Sequence, residues 1–413
     1  MLISGWIFYT AQTWTFLQSN GTAAAVAYLP IAMVLPVPIA LVVGGLLTDR
    51  RGPTTVLVAS QIAVALTVGT MAVLTMAGLL SFWPTLVLGV LLGAMGGLGS
   101  VPGQAIMIRL VDRQQIASAY GLSLITYGVG RLVGGPIGGA VVHAFGPGPA
   151  LALSASGFVV AALLFRTLPK LEGLQAATQG LSRRDLGDAI SWARRSRPVL
   201  ALLALEAIAA GLISPYTQMM SVIARDLLHG GSEDLGLLIA SGGVGILVGG
   251  VVMAPLGRRL GQGRFLFLAI AISIVGVVGL SVSTVLVLSC ACAAVAAGAD
   301  NASALTRSLL LQTISPPRLR GRILALDGVV SALSNPICLL AIGLLVATYG
   351  PTPILFGMAM LAALGLVLVA LADPPLLDIQ VEGPGGLQAS ADAVHAVAAE
   401  ATDGIERVGS APG

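Results

Sequence analysis

Long apolar runs alternate with short polar loops along almost the whole chain. Their approximate limits are 1–17, 22–47, 54–79, 84–108, 116–142, 149–167, 198–220, 236–256, 265–284, 286–311, 323–347 and 352–372. A bilayer-crossing helix needs roughly 20 apolar residues, so the pattern predicts an all-α membrane protein of about eleven or twelve transmembrane helices. The first run is short for a full crossing, and it is read as a truncated start to the first helix.

The polar loops carry the orientation. Arg50 and Arg51 follow the second run, Arg109 and Arg113 the fourth, and Arg258, Arg259 and Arg264 the eighth. Arg318, Arg320 and Arg322 follow the tenth. Arg166, Lys170, Arg183, Arg184, Arg194, Arg195 and Arg197 follow the sixth. In the intervening loops Arg225 is the clear exception. Basic residues favour the cytoplasmic side, so even-numbered spans are expected to end there, with both termini cytoplasmic in a plasma (inner) membrane. The longest polar stretch divides the chain into a six-helix bundle over 1–167, a cytoplasmic inter-bundle loop over 168–197 and a second bundle over 198–372. The remainder, 373–413, is rich in Ala, Gly, Pro and acids without apolar periodicity, and is expected to be a disordered cytoplasmic tail. The two bundles repeat each other: the segment Gly45–Gly52 closing the second run has a weaker copy in Pro255–Gly261, closing the eighth. Such repeats are common in secondary transporters.

Composition narrows the function. The 413 residues are 56% hydrophobic and 9% charged, with a mean hydropathy of +0.95, whereas a soluble domain averages about 25% charged. Lipid must therefore be the solvent for much of the surface. The formal net charge of +3 is spread through short loops without interleaved aromatics, which excludes a nucleic-acid partner. Cys290, Cys292 and Cys338 lie in apolar runs without metal or disulfide spacing, so no metal and no cofactor is expected. The one lysine, Lys170, follows Pro169 and forms no Walker loop, which excludes an ATP-driven pump.

Gly45-x-Leu47-x-Asp49-Arg50-x-Gly52 resembles the loop signature of the major facilitator superfamily. The resemblance spans the chain, through the six-plus-six arrangement and the Pro-Pro-x-x-Arg-Gly-Arg loop at Pro316–Arg322, and is nearest to bacterial drug and siderophore exporters of the enterobactin-exporter and macrolide-efflux kind. It implies a fold of two pseudo-symmetric six-helix bundles that rock about a central site. It also implies that the Asp49 and Arg50 loop holds the cytoplasmic side closed; Asp112 and Asp327 are the acids available to Arg50. The glycines allow close approach at Gly45 and a tight turn at Gly52. In the fifth run, Gly130, Gly135, Pro136, Gly138 and Gly139 partly match the Gly-Pro motif of the superfamily's antiporters. Close helix packing explains those glycines equally well.

Charges inside apolar runs are costly unless paired or hydrated, and therefore mark function. Glu206 lies in the seventh run, Asp300 and Asn301 in the tenth. Arg131 lies in the fifth and Arg307 near the end of the tenth. In the resembled fold, helices one, four, seven and ten line the cavity, which nominates Glu206 and Asp300 as proton-coupling groups. An acid in a partly dry cavity can exchange a proton near neutral pH. The competing reading is a structural ion pair of Asp300 with Arg131 or Arg307. Gln104, Gln12, Tyr9 and Trp14 are further candidates to touch substrate. The expected function is proton-coupled efflux of a lipophilic small molecule, drug or siderophore-like, by a monomer using alternating access. The alternatives are an importer of a small metabolite and a non-transporting membrane scaffold. An enzyme is disfavoured, because no hydrolase or metalloprotease motif is present.

Overall fold

The computed structural model describes residues 1–20, 23–110, 116–167, 190–316 and 318–379. Its helices are α1 (Leu2–Asn20), α2 (Ala23–Val34), α3 (Val37–Arg51), α4 (Pro53–Met76), α5 (Phe82–Leu110), α6 (Ile116–Phe145) and α7 (Pro147–Phe165). After the inter-bundle stretch come α8, which starts as Arg197–Ile208, then α9 (Ser232–Leu260), α10 (Gln262–Val282), α11 (Leu286–Ile314), α12 (Arg320–Tyr349) and α13 (Pro351–Ala372). Helices α2 and α3 are two pieces of one passage. Pro30 inside α2 and Pro36 at the start of α3 lack amide donors, and the helix breaks between them. Twelve passages result, and ten stretches among the described residues are long and apolar enough to cross a membrane. Side chains such as Leu35, Ile39, Trp83, Val287 and Leu371 point outward and are more than 70% exposed, which acyl chains tolerate and water does not.

Helix α1 ends later than the first apolar run. It continues through Gln18, Ser19 and Asn20, whose polarity hid its end. Its 19 residues span about 28 Å at 1.5 Å per residue, and Thr10, Thr13 and Thr15 return their hydroxyls to carbonyls of Trp6, Tyr9 and Ala11. Two more boundaries shift. Residues 190–195 are helical, and Ala193 is buried with Trp192 packed against the core, so the inter-bundle loop is shorter than 168–197. The tail also begins later than Asp373. The segment Pro374–Asp378 forms a 3₁₀ turn under α10, with Leu376 fully buried and Gly263 N–H donating to Ile379 O at 3.1 Å. Asp373 anchors that turn. Burial pushes its carboxyl up from the usual range, and the Arg197 guanidinium opposes the shift. Arg225, the exception to the loop charges, pairs with its neighbour Asp226, Nε to Oδ1 at 2.6 Å.

The two halves repeat at the turns. Gly52 joins α3 to α4 at φ 80° and ψ 150°, and Gly261 joins α9 to α10 at φ 80° and ψ 149°. A side chain there would collide with its own carbonyl, at about 1–2 kcal/mol. Gly52→Ala and Gly261→Ala should each lower the thermal midpoint in detergent by several degrees. Gly5→Ala, which meets nothing within 4 Å, should leave it unchanged.

The halves meet along two seams, α2 against α12 and α6 against α9. Both seams lie toward the end opposite the Gly52 turn. Helix α6 presents glycine on two faces. Gly130, Gly134 and Gly138 lie on Leu2, Ile3 and Ile7 of α1, while Gly128, Gly135 and Gly139 lie on Gly243, Gly236 and Ser232 of α9. A Cβ on Gly236 would sit 2.7 Å from Gly135 O, and one on Gly243 2.6 Å from Gly128 O. Backbone-on-backbone packing therefore accounts for every glycine of the Gly-Pro motif. Between the seams, first-half helices α1, α2 and α6 face second-half helices α8, α9 and α11 across a cavity.

Candidate functional site

Three helices of the second half place polar side chains at helical spacing around one axis. Helix α8 contributes Glu206, Ser214 and Gln218; α11 contributes Asp300 and Arg307; α12 contributes Asp327, Ser331 and Asn335. Arg307 joins the stripes. One terminal nitrogen contacts Glu206 Oε2 and its Nε lies 3.3 Å from Asp327 Oδ1, with side chains 6%, 6% and 15% exposed. Its other terminal nitrogen has no hydrogen-bond partner. The ion pair that the competing reading gives to Asp300 and Arg307 is made by Glu206 and Asp327 instead. Asp300 lies nearer the middle of the membrane, and among the described residues no cation stands within 4.0 Å of it. It accepts a 3.3 Å hydrogen bond from Ser214 Oγ.

Helix α8 is irregular where these groups meet. A π turn at Ala209–Ile213 is followed by a 3₁₀ turn at Ser214–Tyr216, and a second π turn closes at Leu227. Gly211 and Pro215 explain the disturbance, since neither supports a regular helix interior. Irregular backbone at membrane depth must find partners. Asn335 Nδ2 donates to Ala210 O at 3.0 Å, and Tyr9 OH, from the other half, donates to Thr217 O at 2.9 Å. Gln218 Nε2 reaches Asn335 Oδ1 at 3.3 Å.

Two adjoining cavities share Asp300, Ser214 and Gln218. The smaller, about 270 Å³, holds Glu206 and Arg307 between α8, α11 and α12. The larger, about 650 Å³, opens between the halves, with Tyr9, Tyr127, Arg131 and Asn301 on its walls. Small-molecule sites commonly measure about 300–1,000 Å³ and combine apolar walls with a few polar groups. Asp300 therefore faces both a chamber of substrate size and a buried charged cluster.

The sequence-nominated residues divide accordingly. Glu206, Asp300, Asn301, Gln12, Tyr9, Arg131 and Arg307 line one cavity or the other. Trp14 does not: it is buried in the core packing of α1. The side chain of Gln104 and all of Asp112 lie outside the described residues. Asp327 is not a partner for Arg50, because Arg307 holds it two turns inside α12. Asp49 and Arg50 are exposed at the end of α3. Gly45 is buried, and so is its neighbour Gly44, where a Cβ would stand 2.9 Å from Leu98 O of α5. Ser214, Gln218, Ser331 and Asn335 escaped sequence reading. The pairs Ser214-Pro215 and Asn335-Pro336 inside apolar runs were the available signal.

Comparison with known proteins agrees with this architecture. The family model described as transmembrane secretion effector, a division of the major facilitator superfamily, matches residues 2–381. The multidrug efflux pump Tap of Mycolicibacterium fortuitum is 25% identical over 352 residues, covering 82% of this chain and 84% of Tap. Among solved structures, a bacterial homologue of the human lysosomal transporter Spinster, inward-facing and unoccupied, superposes with a TM-score of 0.66 at 15% identity, covering 92% of this chain and 98% of that one. The nucleoside transporter NupG gives 0.68 at 12% identity, covering 90% and 98%. These two share the fold. With a chamber between two six-helix halves and a family match along nearly the whole described chain, the protein belongs to the transmembrane secretion effector family of major facilitator transporters.

Proposed function

We propose that the protein exports a lipophilic, weakly cationic small molecule across the plasma membrane in exchange for protons, and that Asp300 carries the exchanged proton. The observation that carries this reading is a charge count at the site. Five carboxylate and guanidinium side chains line the cavities or close the cluster: Glu206, Asp300 and Asp327 against Arg131 and Arg307. Three acids against two guanidiniums leave one negative charge. A buried site is stable when neutral, so it favours one added positive charge. That charge is a proton in one state and a monovalent organic cation in the other. Asp300 is the acid with no guanidinium within pairing distance, and it faces the chamber, so proton and cation compete there. Glu206 and Asp327, held by Arg307, form the structural part of the cluster.

The loop arginines favour cytoplasmic termini, and the seams then lie on the extracellular side, which makes this conformation cytoplasm-facing. A weak relationship to a multidrug efflux pump favours export. A monomer suffices, since both cavities are formed within one chain. The test is uptake of ethidium into proteoliposomes with an acidic interior. Purified protein should accumulate the dye only while the gradient lasts, and a protonophore should abolish accumulation. Accumulation that ignores the gradient would exclude proton exchange.

A further inference from the structure

The chamber wall holds a guanidinium with no acid at pairing distance among the described residues. Arg131 is 4% exposed. Its Nε donates to Ile239 O at 2.9 Å, one terminal nitrogen lies 3.7 Å from Met220 Sδ, and its Cζ stands 5.0 Å above the Trp6 ring. Among the described residues no carboxylate is within 4.0 Å of it. A buried cation without an anion is strongly unfavourable, so an arriving anion would be held firmly. Gln12 lines the same chamber at 3% exposure, and its amide nitrogen has no hydrogen-bond partner. Gln12 Nε2 is a donor awaiting an acceptor, and Arg131 is a cation without an adjacent anion. Asp300, also on the chamber wall, has the opposite requirement. The Trp6 ring packs edge-on with Tyr9 and Tyr127 at 5.4 and 5.6 Å between centroids, giving the chamber an aromatic wall.

We propose that the chamber selects amphoteric aromatic molecules, with an acidic pole held by Arg131 and Gln12, a basic pole by Asp300, and a planar ring against Trp6 and Tyr127. This rests on reading the chamber as the transport site, and it narrows the substrate from lipophilic cations in general to those that also carry an acid. Such a molecule brings an acceptor to Gln12, an adjacent anion to Arg131 and a cation to Asp300 at once, whereas a simple cation reaches Asp300 alone.

Isothermal titration of the purified full chain in detergent tests it with three probes of one shape. They are a naphthalene with aminomethyl and carboxylate groups on opposite rings, its methyl ester, and plain naphthoate. The amphoteric probe should bind at least about tenfold tighter than either single-charge probe. Gln12→Leu should weaken the two carboxylate-bearing probes several-fold and leave the ester unchanged. Arg131→Gln should remove the advantage of the amphoteric probe over the ester. Should Arg131→Gln fail to fold, the probe ranking on the parent protein and Gln12→Leu decide alone. An ester that binds as tightly as the amphoteric probe, or equal weakening of all three by Gln12→Leu, overturns the proposal. Proton-driven uptake of the ester without amphoteric preference would overturn this inference and keep the exchanger. Amphoteric preference without proton-driven uptake of any probe would overturn the exchanger and keep the chamber's selectivity.

Discussion

Arg307→Ala should yield little folded protein, and what folds should melt many degrees below the parent in detergent. The substitution removes the one cation that touches both Glu206 and Asp327. Two carboxylates would then remain among α8, α11 and α12 without a counter-charge. Removing one partner of a buried ion pair costs about 3–5 kcal/mol, against a total stability of about 5–15 kcal/mol for a typical domain. Size-exclusion profiles and thermal midpoints report the effect directly. The triple variant Glu206→Gln, Arg307→Met, Asp327→Asn should recover most of the loss, because a neutral cluster of similar volume needs no counter-charge. A midpoint for Arg307→Ala within a degree or two of the parent would mean that the cluster is hydrated and not structural.

Asp300→Asn should abolish proton-driven accumulation and leave the fold intact. The amide preserves the volume and can still accept from Ser214, but it cannot gain or lose a proton. One pH unit is worth about 1.4 kcal/mol, which sustains roughly tenfold accumulation in a one-for-one exchange. In proteoliposomes the parent should approach that ratio across a one-unit gradient, and Asp300→Asn should stay at one. Exchange of labelled for unlabelled dye without a gradient should weaken as well, since the amide also withdraws the charge that holds the cation. Glu206→Gln separates the two acids. It releases Arg307 from one partner and should cost stability, yet keep the accumulation ratio. Reversed behaviour of the two variants would make Glu206 the proton carrier.

The passages, the two-part organisation and several cavity-lining residues were legible because they depend on properties that survive in one dimension. Run length reports the bilayer, and arginines report the loop side. Glu206 and Asp300 stood out because an acid is costly in an apolar run. Their partners were not legible. Pairing depends on the angle at which each helix presents a side chain, and two π turns in α8 change that angle partway along the passage. A regular 3.6-residue period carried through Gly211 and Pro215 misplaces everything beyond them. Asp327 looked like a loop acid because it is close in sequence to Arg318, Arg320 and Arg322. In the fold it lies two turns into α12, where only the neighbouring helix shows its role.

The hydroxyl of Tyr9 gives the α8 backbone a donor that belongs to the other half of the molecule. Any motion that separates α1 from α8 strips that donor from Thr217 O. A bare carbonyl at this depth costs about 1–3 kcal/mol until something replaces it. Solvent must therefore advance into the gap in step with the motion, wetting the irregular helix before the passage is wide enough for cargo. Hydration, more than steric clearance, would then set the order of events in each cycle.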